Sequence, residues 1–217
     1  MIEVDVTVIG GGIVGCAVAA ATASGGLHTV LLEKEPRLAV GVTARNSEVA
    51  HGGMYYPTGS LKARYCVRGR RLLKQFCTEA GVTYHEAGKL IVAVTSQEEP
   101  ELAQLLELGQ ANGVEELRLV DHAELHRMEP HIEGAAALFS PRTGILDAEG
   151  AARAYARLAT ERSAQVLTGA PVSSIETSLA RSPAFALRSG QWQPSMPGTT
   201  GRVTSGIPSC VSSGATR

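Results

Sequence analysis

The feature that most constrains this chain is an array of three glycines set between a strand-like run and a helix of small residues. Residues 4–10, VDVTVIG, are apolar enough for a short buried β-strand. Gly10, Gly12 and Gly15 follow at G-x-G-x-x-G spacing, and the small-residue segment IVGCAVAAATAS begins inside that array. A second strand, HTVLLE, ends in Glu33. Each part has a mechanical reason. Gly10 allows a tight turn out of the strand, Gly12 leaves room for a pyrophosphate beside the backbone, and Gly15 lets the helix close onto the sheet. The helix N-terminus offers amide hydrogens and partial positive charge to phosphates. Glu33 can accept hydrogen bonds from a ribose diol and repels a 2′-phosphate. Strand, glycine turn, helix, strand and acid together predict a dinucleotide-binding βαβ unit.

The 217 residues suffice for one large domain or two small ones, and 44% of them are hydrophobic, which suits a globular core. A net charge of −1 gives no electrostatic case for nucleic acid or an anionic membrane. No apolar run reaches membrane-spanning length, and with the first strand so close to Met1 no signal peptide is expected. Cys16, Cys66, Cys77 and Cys210 show no C-x-x-C spacing, which predicts a reducing compartment and no disulfide framework. Cys16 is expected to pack inside the small-residue helix. The expected location is the cytoplasm, with peripheral membrane association as a variant.

Residues 34–60 form a long polar and glycine-rich connection, of a length that usually serves function. A helix is expected from Leu61 to Ala80 with Gly81 as C-cap. Its apolar stripe reads as Leu61, Tyr65, Leu72, Leu73, Phe76 and Cys77, and Lys62, Arg64, Arg68, Arg70, Arg71 and Lys74 as a solvated basic face or a lure for an anionic substrate. VTYHEAGKLIVAVT predicts one or two strands. Ser96 and Glu99 predict a capping box for a helix ending at Asn112-Gly113. LRLV is a short strand, Asp121 and Glu124 cap a short helix stopped before Pro130, GAAALFSP and TGILD are strands, and AEGAARAYARLATERSA is a helix. AQVLTGAPVSSIE reads as a strand pair or one long strand. From Thr177 onward the 41 residues contain no Asp, Glu or Lys, and Ser, Gly and Pro supply 17 of them. That composition predicts an irregular or disordered tail.

The loop TARNSEVAHGGMYYPTGSLKA concentrates chemistry. Thr43, Arg45, Asn46 and Ser47 bring hydroxyl, guanidinium and amide groups near the expected phosphate site. His51 precedes Gly52-Gly53, where the backbone can approach a flat ring closely. Tyr55 and Tyr56 could line a pocket. His122 and His126 are spaced i, i+4, but no third ligand accompanies them, so they read as a solvated pair rather than a metal site.

These segments resemble the D-amino-acid-oxidase-type superfamily of FAD-dependent oxidoreductases, and within it the L-2-hydroxyglutarate dehydrogenases/oxidases. The likeness rests on VTVIGGGIVGCAVA, VLLEKEPRLA, RNSEVAHGGMYYPTGSLKARYCVRG, GKLIVAVT, LGQANGV, EPHIEG and TGILD, and covers roughly residues 1–175. The HGGMYYPTGSLKA and TGILD segments are the most diagnostic. The resemblance implies an α/β fold: a Rossmann-like FAD-binding domain with an inserted α+β substrate domain, incomplete at its C-terminus. The implied division is 1–60 for the first part of the FAD domain, 61–140 for the substrate part, 141–176 for the return to the FAD domain, and 177–217 for the tail. FAD is the implied cofactor. Gly10, Gly12, Gly15 and Glu33 would hold its pyrophosphate and adenosine ribose, with Ile13, Val14 and Lys34 beside them. Thr43, Arg45, Asn46 and Ser47 would lie near pyrophosphate and flavin, and Val172 would meet the adenine through its backbone. Glu48 stands where the family's N-S-G-V-x-H segment has glycine. Family members continue well beyond the VSSIE-type strand, so a truncated or frameshifted read is expected after about Ala180.

The implied reaction is oxidation of L-2-hydroxyglutarate, or a similar 2-hydroxy acid, to the 2-oxo acid. The substrate gives hydride from C2 to the flavin while a base takes the hydroxyl proton. Histidine suits that base because imidazole titrates near neutrality, and His51 is the candidate. Tyr55 and Lys62 are candidate substrate contacts. Electrons would pass on to oxygen, a quinone or another acceptor. The alternatives are a related amino-acid oxidase or glycerol-3-phosphate dehydrogenase, a nicotinamide-dependent dehydrogenase, or an FAD-binding fragment without turnover.

Overall fold

A computed structural model describes residues 4–174, together with the backbone of residues 186–188 and 191–193. The chain divides into two compact units, Met1–Asn46 with Ala152–Arg217, and Ser47–Ala151. These divisions fall at 46/47 and 151/152.

In the first unit, β1 (Val6–Ile9) leads through the glycine turn into α1 (Ile13–Ser24), and β2 (Thr29–Leu32) follows. β1 and β2 run parallel, with Val6 opposite Thr29 and Ile9 opposite Leu32. β9 (Gln165–Leu167) adds to the other edge of β2, also parallel, giving the order β1-β2-β9. All four residues of β2 are buried, as expected for the central strand of a parallel sheet. α5 (Ala148–Glu161) supplies Ala152, Ala156 and Ala159 to the core of this unit, where they meet Cys16, Ala19, Ala20 and Ala23 of α1 with Val8 and Leu31. Small side chains on both helices let their backbones approach the strands, and Leu31 is fully enclosed. Burying such a leucine contributes roughly 1.5–3 kcal/mol.

The second unit is α+β. β3 (Val49–Ala50), β4 (Tyr84–His85) and β8 (Gly144–Leu146) form one antiparallel sheet in the order β3-β8-β4. β5 (Lys89–Ala93), β6 (Arg118–Asp121) and β7 (Ala136–Ser140) form another in the order β5-β7-β6. α2 (Leu61–Ala80), α3 (Glu99–Ala111) and α4 (His122–Met128) complete it. Its core holds Met54, Val67, Leu102, Leu117 and Leu138.

Most elements form where the sequence placed them. α2 spans the expected residues, Ser60 Oγ accepts from Ala63 N, and Gly81 ends it at φ 68°. Asp121 caps α4 by accepting from Glu124 N at 2.8 Å. Two expectations fail. The Ser96–Glu99 capping box does not form: Ser96–Glu98 is a 3₁₀ turn, α3 starts at Glu99, and Glu98 reaches back to accept from Val94 N at 2.8 Å. A neighbouring carboxylate therefore takes the role that Glu99 was expected to fill. The buried face of α2 is also rotated from the expected stripe. Ala63, Val67, Arg70 and Cys77 are buried, while Leu61, Tyr65 and Leu72 are exposed. Arg70, read as solvated, lies inside because it finds partners there. Its Nη1 donates to the Arg142 carbonyl at 3.2 Å, and its Nη2 pairs with Glu115. The tail expected at 177–217 lies outside the described residues, apart from β10 (Ala186–Arg188) and β11 (Gln191–Gln193), which pair antiparallel with Leu187 opposite Trp192.

Candidate nucleotide-binding site and its surroundings

The glycine turn is shaped by two different constraints. Gly10 adopts φ +105°, a region that L-residues avoid. A Cβ on Gly15 would stand 1.9 Å from the Gly10 carbonyl oxygen, so α1 can pack here only on a glycine. At Gly12 the nearest obstacle to a Cβ is Thr43 Oγ1, at 3.1 Å. No acidic side chain occupies the first turn of α1, and Val14 there is 73% exposed. The positive end of the helix is thus uncompensated by its own side chains and open, which suits an anion.

Glu33 braces this turn. It is only 9% exposed, Oε2 accepts from Gly11 N at 2.5 Å, and Oε1 accepts from Glu35 N at 2.8 Å. A carboxylate has about four lone-pair positions, so capacity remains for a ribose diol. Thr43 is buried, and its hydroxyl accepts from Ile13 N at 3.1 Å, capping α1 from thirty residues away. One of the helix's terminal amides is therefore satisfied within the protein. Asn46 donates to the carbonyls of Val42 (3.0 Å) and Thr43 (2.6 Å), fixing the short 3₁₀ turn Val42–Ala44 that carries this cap. Arg45 is exposed, Lys34 pairs with Glu35 at 3.7 Å, and Val172 packs against Val30 and Leu32 of the central strand. The open helix end, the obligatory glycine and the braced carboxylate fit the pyrophosphate and ribose of FAD.

Cys16 lies one turn into α1, wholly buried, with Sγ 3.6 Å from the Gly11 carbonyl. Burial, aided by the charge of Glu33, pushes its thiol up to about 11. Cys77 is buried and also raised by burial, whereas Cys66 is partly exposed. Alkylation of the folded chain with iodoacetamide is expected to label Cys66 and spare Cys16 and Cys77, since only accessible thiolate reacts. Peptide mapping checks this, and labelling of Cys16 at the rate of Cys66 would refute it.

The second unit holds the remaining candidates. Ser47 and His51 are exposed, and His51 sits directly before the buried Gly52-Gly53. Lys62 Nζ lies 5.6 Å from the centroid of the Tyr56 ring, and Lys89 Nζ 4.7 Å from that of Tyr55. Tyr55 and Lys62 thus each have a cation–π partner, of which Lys89 was not anticipated. The loop carrying both tyrosines is held by Asn112, whose Nδ2 donates to the carbonyls of Gly53 (3.1 Å) and Tyr56 (2.8 Å). The sequence marked Asn112 only as a helix end. His122 donates through Nδ1 to the Gly134 carbonyl (2.8 Å) and stacks on His126, and the described residues contain no cluster fit for a metal.

Glu48 has φ 54°, a left-handed conformation that favours glycine. Its carbonyl accepts from Leu146 N at 3.1 Å, and its Oε1 accepts from Ala148 N at 3.2 Å, at the start of α5. The carboxylate therefore offsets backbone strain by capping a helix. Glu48→Ala keeps the strain without the cap, whereas Glu48→Gly relieves it. The alanine variant is expected to be about 1 kcal/mol less stable than the glycine variant. Equal denaturation midpoints would remove this account.

A family model described as FAD dependent oxidoreductase matches residues 5–192. The chain belongs to the FAD-dependent oxidoreductase family. Among curated proteins, this family member is 43% identical over 174 residues to proteins named L-2-hydroxyglutarate dehydrogenase, mitochondrial, from Bos taurus and from Homo sapiens, covering 79% of this chain and 38% of each relative. The protein of that name from Arabidopsis thaliana is 46% identical over 145 residues, covering 67% of this chain and 30% of the relative. The chain thus spans well under half the length of these relatives. Among solved structures it is similar to FAD-bound L-alpha-glycerophosphate oxidase from Mycoplasma pneumoniae (TM-score 0.74, 26% identity, 87% of this chain and 48% of that one). It is also similar to L-proline dehydrogenase from P. horikoshii (TM-score 0.70, 26% identity, 77% and 44%). The expected fold class is borne out, with FAD as the family's cofactor. No helix among the described residues is long and apolar enough to cross a membrane.

Proposed function

We propose that this chain carries the FAD-binding segment and part of the substrate unit of an enzyme that oxidises L-2-hydroxyglutarate, or a close 2-hydroxy acid, to the 2-oxo acid. The observation that carries the reading is the Gly10–Gly15 turn braced by Glu33, taken with 43% identity to relatives named for that substrate. Bound FAD supplies the hydride acceptor. The protein's own contribution begins with the open end of α1, which would hold the pyrophosphate beside Gly12, Val14 and Gly15. Glu33 would take the adenosine ribose with its remaining lone pairs, and Val172 would offer its backbone to the adenine. Thr43 and Asn46 act on this chain itself, fixing the first turn of the helix. Arg45 and Ser47, both exposed, are available to phosphate or flavin oxygens. His51 is exposed and would accept the substrate's hydroxyl proton. Lys62 would attract a carboxylate. An acceptor such as oxygen or a quinone would take the electrons onward. Three free cysteines among the described residues support a reducing compartment, with the cytoplasm as our reading.

The likeness to L-alpha-glycerophosphate oxidase and L-proline dehydrogenase supports a second reading, a related oxidase acting on another small hydroxy or amino compound. The test is a visible absorbance spectrum of the purified chain followed by anaerobic addition of L-2-hydroxyglutarate. Bleaching of a yellow protein is the expected result. Bleaching only by glycerol 3-phosphate or proline favours the second reading. A yellow protein that no substrate reduces would show that this length of chain binds FAD without turnover.

A further inference from the structure

The basic residues of α2 do not all behave as a solvated face. Arg64, Arg68 and Arg71 are spaced i, i+4, i+7, which places them along one side of the helix over about 10 Å. All three line an open cleft of about 350 Å³ within the second unit, lined also by Thr58-Gly59 and by the turn Asn112-Gly113 after α3. That volume matches the lower range of sites for small ligands. Internal partners leave much of this positive charge unspent. Arg71 uses Nε on Glu115 at 2.5 Å, and that carboxylate is already shared with Arg70. Among the described residues, Arg64 reaches only the Tyr65 hydroxyl at 3.4 Å and the face of that ring. Arg68 has no hydrogen-bond or ion-pair partner among the described residues. Among the described residues, no acidic side chain lines the cleft. Asn112 ties down the adjoining loop through its amide nitrogen.

We propose that this cleft binds a small free polyanion, a molecule carrying two or more carboxylate or phosphate groups. Guanidinium forks match both groups bidentately, and three forks in a row demand more than one anionic centre. None of the proposed substrate contacts His51, Tyr55 and Lys62 lines it.

The test titrates the whole chain with citrate and, separately, with inorganic pyrophosphate at matched ionic strength, read by calorimetry. The expected dissociation constant is below about 1 mM for at least one of them. Arg68→Gln should weaken it about tenfold, the worth of one charge-assisted hydrogen-bonded contact. The side chain is exposed, so the melting temperature should not move. Arg64→Gln gives the same readout if the first variant folds poorly. Arg37→Gln, on the first unit, should bind as the parent does. Absence of binding by both anions would overturn the proposal. So would equal affinity in the parent and both cleft variants. Sedimentation with phosphatidylserine vesicles, without binding of either free anion, would overturn it in favour of a lipid headgroup.

Discussion

Gly15→Ala will yield a chain that neither retains flavin nor reaches the parent's stability. The added methyl would lie 1.9 Å from the Gly10 carbonyl oxygen and 3.1 Å from its carbon. Those are backbone atoms, so no side-chain rotation relieves the clash. Either α1 lifts from β1, or the turn out of β1 opens. The first exposes Cys16, Ala19 and Val8, and the second dismantles the brace from Glu33 to Gly11. Overpacking a tight core costs about 1–3 kcal/mol when side chains can adjust, and a backbone collision belongs at or above the top of that range. Denaturant titration and the visible spectrum check both parts. A variant with parental midpoint and flavin content would show that the helix does not need this approach.

Glu115→Ala should be the most damaging change in the second unit, and Arg70→Met close to harmless. The Arg70 side chain is only 4% exposed, its Nη2 pairs with Glu115, and its Nε has no hydrogen-bond partner among the described residues. Removing the carboxylate strands a buried cation, at a cost of about 3–5 kcal/mol, nearer the lower figure because Glu115 is a third exposed. Removing the arginine instead deletes the charge and the unpartnered Nε together, and Arg71 still satisfies Glu115. That change should alter stability by less than about 1 kcal/mol. The two single variants and the double variant, compared by denaturation, test the asymmetry, and equal losses would refute it. The pH dependence carries the same sign. Burial works to raise the Glu115 carboxyl, but the bond from Arg71, a backbone bond and the two arginine charges outweigh it and hold it below the ordinary range. The stability so gained is present above the usual carboxylate range and lost as pH falls through the lowered value. Glu115→Ala should flatten that acid limb.

How much of this was legible beforehand depended on whether the deciding partner was near in sequence. The βαβ unit, α2 with its Ser60 and Gly81 caps, and Asp121 at α4 were readable because caps, turns and periodicities act over a few residues. The rotation of α2 was not. Arg70 is buried because of Glu115 and the Arg142 carbonyl, 45 and 72 positions away, and no local pattern announces such partners. Thr43 shows the same limit within the candidate site. Its hydroxyl, expected near phosphate, caps α1 across thirty positions, a bond that no local pattern announces. Glu48 was visible as a departure from the family pattern, but its reason, the amide of Ala148 one hundred positions later, was not. Asn112 could have been suspected only if an asparagine at a helix end were read for its side chain as well as its backbone.

Glu33 has a consequence for how this nucleotide site could change over evolution or by design. One carboxylate holds two backbone amides, of Gly11 and Glu35, on either side of the crossing from β2. A residue chosen to suit a different adenosine ribose would first have to replace both of those anchors. With the proposed ribose contact, preference for the ribose and integrity of the turn would be inherited as one trait, and a switch of preference would call for paired substitutions in the 11–12 and 33–35 segments rather than a single exchange.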